Sequence, residues 1–129
     1  MRRSELVRMF VLNEIADDYE NLHQITKQIT PLASACGLTI ETSEILQALR
    51  GLVTADLARA YRFLPPSNTT EEIWGMPPAD EIGSPDVPMR DDVFFWVTPK
   101  GRQCVLADNP DWPFDDDLVL RADWNPPEK

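Results

Sequence analysis

The chain has 129 residues, 43% of them apolar, and a formal net charge of −10 at pH 7. That length predicts one domain with a single modest core, and no apolar run approaches the roughly 18 residues of a membrane-spanning helix. Met1-Arg2-Arg3 leads into polar, acidic sequence rather than a secretory leader, which predicts a cytoplasmic protein with no membrane partner.

The first predicted element is a helix capped by Ser4, with Leu6, Val7, Phe10, Val11 and Ile15 on one stripe and an end near Asp17 or Asp18. A second helical stretch repeats Leu22, Ile25, Ile29, Leu32 and Cys36. Thr30-Pro31 predicts a break or kink in it, and Gly37 supplies a left-handed stop. Leu38-Thr39-Ile40 is an extended link. The clearest helix comes next: Thr42 or Ser43 caps it, Glu44 suits its positive end, and Ile45, Leu46, Leu49, Leu52 and Val53 form its apolar face.

After Asp56 the period changes to two. Leu57 to Leu64 reads as a strand with Tyr61 and Phe63 on one side and Ala58 and Ala60 on the other. A Pro-rich stretch, residues 65–92, then separates this strand from a second at Val93 to Val97, and the two are expected to pair antiparallel. Loops beyond about 15 residues usually mean function or disorder. Ile73, Trp74, Met76 and Ile82 are too apolar for a solvated linker, so part of this one is expected to pack down. Thr98 caps a short last helix with Pro99 at its first position. Gly101 inside it costs about 1 kcal/mol against alanine, which predicts close packing on a neighbour. In the tail, residues 108–129, Trp112 and Phe114 are expected to dock on the strand at Val93 to Val97.

Catalytic and metal signatures are weak. His23 stands without a nucleophile motif, and Cys36, Cys104 and His23 lack zinc-ligand spacing. Both cysteines sit in apolar helical surroundings that predict small buried side chains. Asp115-Asp116-Asp117 has neither the alternation nor the glycine of a calcium loop. Five glycines leave little room for a phosphate-binding loop. No enzymatic activity, metal or cofactor is expected.

The run Glu44-Ile45-Leu46-Gln47-Ala48-Leu49-Arg50-Gly51-Leu52-Val53 looks like a recognition helix, and Phe94 to Arg102, with its Thr98-Pro99-Lys100-Gly101-Arg102 turn, looks like the exit of a wing. With the order helix, broken helix, helix, strand, long loop, strand, helix, the chain resembles the winged helix-turn-helix superfamily over residues 4–107. The resemblance implies an α+β, mainly α fold. It would be one winged-helix domain over residues 1–129, with a two- to three-stranded wing, a long acidic Pro-rich wing loop at 65–92 and a C-terminal tail at 108–129.

Two kinds of binding compete on that scaffold. In winged-helix regulators the residues near the start of the recognition helix face the major groove. The matching positions here are Thr42, Ser43, Gln47 and Arg50, with Arg59 and Arg62 on the next strand directed at phosphates. Charge opposes this, because DNA affinity rests heavily on Lys and Arg at phosphates. Residues 1–64 carry seven basic against eight acidic side chains, residues 65–129 five against fourteen, and Glu41 and Glu44 stand where the helix would enter the groove. Ile73, Trp74, Met76, Trp112 and Phe114 instead place anchor-type side chains in acidic surroundings, suited to a basic protein or a second copy of the chain. The expected function is regulatory binding without catalysis, with protein interaction ahead of duplex DNA.

Overall fold

The computed structural model describes residues 2–64, 69–77, 93–106, 112–115, 117 and 119–124. In chain order the elements are α1 (Arg3–Asp17), β1 (Glu20–Asn21), α2 (Leu22–Ala35), α3 (Thr42–Thr54), β2 (Ala58–Leu64), β3 (Thr69–Ile73), β4 (Val93–Val97) and α4 (Pro99–Leu106). The described residues thus form an α+β fold of four helices and one antiparallel sheet, ordered β1-β4-β2-β3. None of the described helices is long and apolar enough to cross a membrane.

Helix α1 lies at the centre, touching α2, α3, α4 and β4. It therefore buries more than a stripe: Leu12, Asn13 and Ala16 join Leu6, Val7, Phe10, Val11 and Ile15. Its start corrects the expected cap. Arg2 occupies that position and Ser4 is already helical, because the Arg2 carbonyl accepts from the amides of Glu5 and Leu6, both at 3.1 Å.

Helix α2 is uninterrupted through Pro31, contrary to the expected break. Thr30 does not open a new helix, since its hydroxyl donates to the Thr26 carbonyl one turn back at 2.8 Å. Pro31 is exposed, so the carbonyl its ring leaves without an amide lies on the wet side of the helix. Asn21 and Gln24 cap the start reciprocally. The end follows the double-bonded left-handed pattern: Leu38 donates to Ala33 and Gly37 to Ser34, with Gly37 at φ +76°.

The same pattern ends α3, with Leu57 donating to Leu52 and Asp56 to Val53. Here the left-handed position is Asp56, at φ +60°, where a side chain is strained. At the other end of α3 the cap is Glu41 rather than Thr42 or Ser43, and its amide donates to the Glu44 carboxylate at 3.1 Å.

The sheet corrects the expected wing in two places. β2 and β4 pair antiparallel as expected, Ala58 opposite Val97 and Tyr61 opposite Phe94. Residues 69–73, however, form a third strand inside what looked like continuous loop, pairing with β2 from Ala60–Ile73 to Leu64–Thr69. The two-residue β1 pairs Glu20 with Phe95 and Asn21 with Phe94, making four strands. Ala58, Ala60, Phe95 and Val97 are buried toward the helices, while Arg59, Tyr61, Phe94 and Trp96 point to the other face.

Thr98 and Gly101 fasten α4 as their types suggested. The Thr98 hydroxyl accepts from the Gly101 amide at 3.0 Å and donates to the Asp56 carbonyl at 2.6 Å. A methyl at Gly101 would stand 2.0 Å from the Leu57 carbonyl oxygen, so only glycine lets α4 approach the entry to β2 this closely. Lys100 and Arg102 donate to Ala55 and Ala16, late carbonyls of α3 and α1, where cations suit the negative helix ends.

The tail packs down, and its ring contacts to the helices and sheet are made to α1, not to the rings of β4. Phe114 stacks edge-on against Phe10 at 5.2 Å, Trp124 lies 6.2 Å from the same ring, and Trp112 meets Phe114 at 6.3 Å. Arg121 closes the turn by donating to the Trp112 carbonyl at 2.7 Å. Cys104 is exposed and Cys36 half-buried, so neither is the fully buried side chain expected, and both are free thiols.

Candidate functional site

Two surfaces carry the candidate residues. The first is the exposed side of α3. Ser43, Gln47, Arg50 and Thr54 recur at spacings of four, three and four and are all exposed, while Thr42 is half-buried beside them. The structure thus brings four of the six expected DNA-contact residues onto one helix, and separates the other two. Arg59 is held by Glu72 at 2.9 Å and Asp56 at 3.4 Å, and these acids raise its affinity for its proton. Arg62 is opposite Val93 and so lies on the other side of β2 from Arg59. Residues three apart on a strand face opposite ways, and the two arginines do not form one phosphate-facing edge.

Beside that helix face, α1 and α3 enclose a groove of about 750 Å³. At one end the Arg3 guanidinium is clamped by Glu44, with 2.7 Å from Nε to Oε2, and also donates to the Thr39 carbonyl. The Glu44 contact raises the Arg3 pKa further. Farther along, Arg8 lies over the backbone of α3 because position 51 is glycine; a Cβ there would be 2.5 Å from its Nη2. Arg8 and this groove were not foreseen. The one hint in the sequence was an otherwise unfavourable glycine in the middle of a strong helix.

The second surface is the outer face of the sheet. Tyr19 packs on Trp96 with ring centres 4.6 Å apart and meets Tyr61 edge-on at 5.1 Å, and Phe63 meets Phe94 at 6.4 Å. All five rings are half-buried. At the end of β3, Trp74 is 89% exposed, next to Gly75 at φ +75° and a small hollow edged by Val53, Arg59 and Glu72. Of the five expected protein anchors only Trp74 is free to meet a partner. Ile73 and Met76 are half-buried against the core, and Trp112 and Phe114 are buried on α1, which removes both from the interaction set. Ile82 lies outside the described residues. Tyr19 was missed, and its only signal was an aromatic residue between two helices.

A third cluster is acidic. Glu20, opposite Phe95, faces α1, where Glu14 meets it. Burial and the neighbouring Glu14 push the Glu20 carboxyl up to about 9, and burial raises Glu14 as well. Burial and the like charge of the neighbour thus both favour the protonated form of Glu20. No group of three or more His, Cys, Asp or Glu side chains among the described residues is placed to hold a metal ion.

Fold and surfaces together define a small α+β protein with two open faces, a helix groove and an aromatic sheet. Comparison with family models, curated proteins and solved structures found no match.

Proposed function

We propose that this is a winged helix-turn-helix protein that acts by binding rather than by catalysis, and that its main partner is a protein docking on the outer sheet face. The single observation carrying this is Trp74. An indole left 89% in water at the edge of a half-buried aromatic face is the type of anchor that dominates protein interfaces. Glu72 and Asp56 edge the hollow beside it and outnumber its one cation, Arg59, which favours a partner with basic residues over a second acidic copy.

Duplex DNA is the second reading, favoured by the exposed line of Ser43, Gln47, Arg50 and Thr54 on α3. Against it, Arg59 is already neutralised by two carboxylates and Glu41 stands exposed at the helix start. Binding to random duplex is expected on the order of 10⁻⁴ M or weaker at physiological salt. A photo-crosslinking residue placed in cells at position 74 or at position 50 separates the two. Protein adducts at 74 are expected; DNA adducts at 50 with none at 74 would overturn the ranking.

A further inference from the structure

We propose that the groove between α1 and α3 is a binding site for an organic phosphate, with Arg8 and Arg50 as its cationic contacts. It is lined by Arg3, Arg8 and Arg50 against one acid, Glu44, an inversion of sign in a chain of net charge −10. Arg3 is already engaged by Glu44. Neither Arg8 nor Arg50 is within ion-pairing distance of a described carboxylate, so both guanidinium groups keep their donors for a ligand.

The planar fork of arginine matches phosphate oxygens two at a time, and two forks beside one groove favour a dianion over a single carboxylate. Ser4 and Gln47 add neutral hydrogen-bonding groups, and Val7 and Ala48 an apolar wall against which a ring or sugar can lie. A volume of about 750 Å³ falls in the range of small-molecule sites and far exceeds what a bare ion fills. Gly51 supports the same assignment. Any side chain there would collide with the Arg8 guanidinium, so the glycine keeps Arg8 laid against α3 beside Arg50.

The site is independent of the sheet face, and the phosphate group could come from a free phosphate ester or from a nucleic-acid backbone. The test is calorimetric titration of the full chain at constant ionic strength with inorganic phosphate, with AMP, and with a twelve-base-pair duplex. AMP is expected to bind at least tenfold tighter than inorganic phosphate, and Arg8→Gln or Arg50→Gln to weaken AMP at least tenfold. Gly51→Ala should also weaken AMP, although it removes no charge. Lys27→Gln, which removes an exposed charge on α2, should not. Duplex binding that depends on Arg8 and Arg50, with no AMP binding, would overturn the free-ester assignment and put the DNA backbone in the groove. Equal loss from Lys27→Gln, or no binding of any probe, would overturn the site altogether.

Discussion

Replacing Gly101 by alanine should destabilise the protein even though alanine is the better helix former. The new methyl would stand 2.0 Å from the Leu57 carbonyl oxygen and 2.7 Å from a Val97 methyl, and the first of these is backbone with nowhere to go. That oxygen also accepts from the Thr98 amide at 3.0 Å, so pushing it away loosens the start of α4. Overpacking of this kind costs about 1–3 kcal/mol, and loss of the hydrogen bond adds about 1 kcal/mol. Helix propensity returns about 1 kcal/mol, leaving a net loss of about 1–3 kcal/mol. For a chain of this size that corresponds to a fall in Tm of about 3–10 °C. Gly51→Ala is the matched control, because its obstacle at 2.5 Å is the far end of a flexible arginine that can swing into water. It should leave stability unchanged or raise it by up to about 1 kcal/mol. Urea melts of the two variants beside the parent would decide the matter. If both variants gain stability, the close approach of α4 to the Leu57 backbone is not real.

Asp56→Gly should stabilise by about 0.5–1 kcal/mol, since φ +60° strains any side chain; a thermal melt showing a loss would mean that the exposed pair with Arg59 outweighs the strain. Phe114→Ala should cost about 3 kcal/mol by emptying the space against Phe10, and an unchanged urea midpoint would mean the tail does not hold α1. Because the folded Glu20 pKa lies near 9 while its unfolded value is ordinary, the folded state holds the extra proton. Stability should therefore be greatest below about pH 4.5 for this group and fall as pH rises toward 9. Glu20→Gln should flatten that slope in Tm measured from pH 5 to 9; an unaltered slope would exclude the carboxyl pair as its source.

Much of the helical framework was legible because burial on one side leaves a period in the sequence. Ile45, Leu49 and Leu52 mark the inner face of α3, and Thr98-Pro99 marks the start of α4 by its own chemistry. What escaped was structure decided by neighbours. Thr69–Ile73 is polar at four of five positions and becomes a strand because β2 offers it an unpaired edge. Glu20–Asn21 is too short to carry any pattern. The sequence also marked Trp112 and Phe114 as needing cover and pointed to the Val93–Val97 strand for it, whereas the ring that Phe114 meets is Phe10 of α1. Of the candidate sites, Gln47 and Arg50 could be read from helical spacing. Arg8 could not, since it reaches α3 across the fold through a space that only Gly51 leaves open.

The burial of Phe10 beneath Phe114 and Trp124 also sets an order of events during synthesis. At about 5–20 residues per second, α1 leaves the ribosome roughly 5–20 s before the rings that cover it exist. The sheet imposes a similar delay, because Asn21 must wait for Phe94. Helices α2 and α3 reach α1 sooner, so it is the Phe10 side of the central helix that stays uncovered for that interval. Apolar surface left open in this way is where a nascent chain is most prone to self-association.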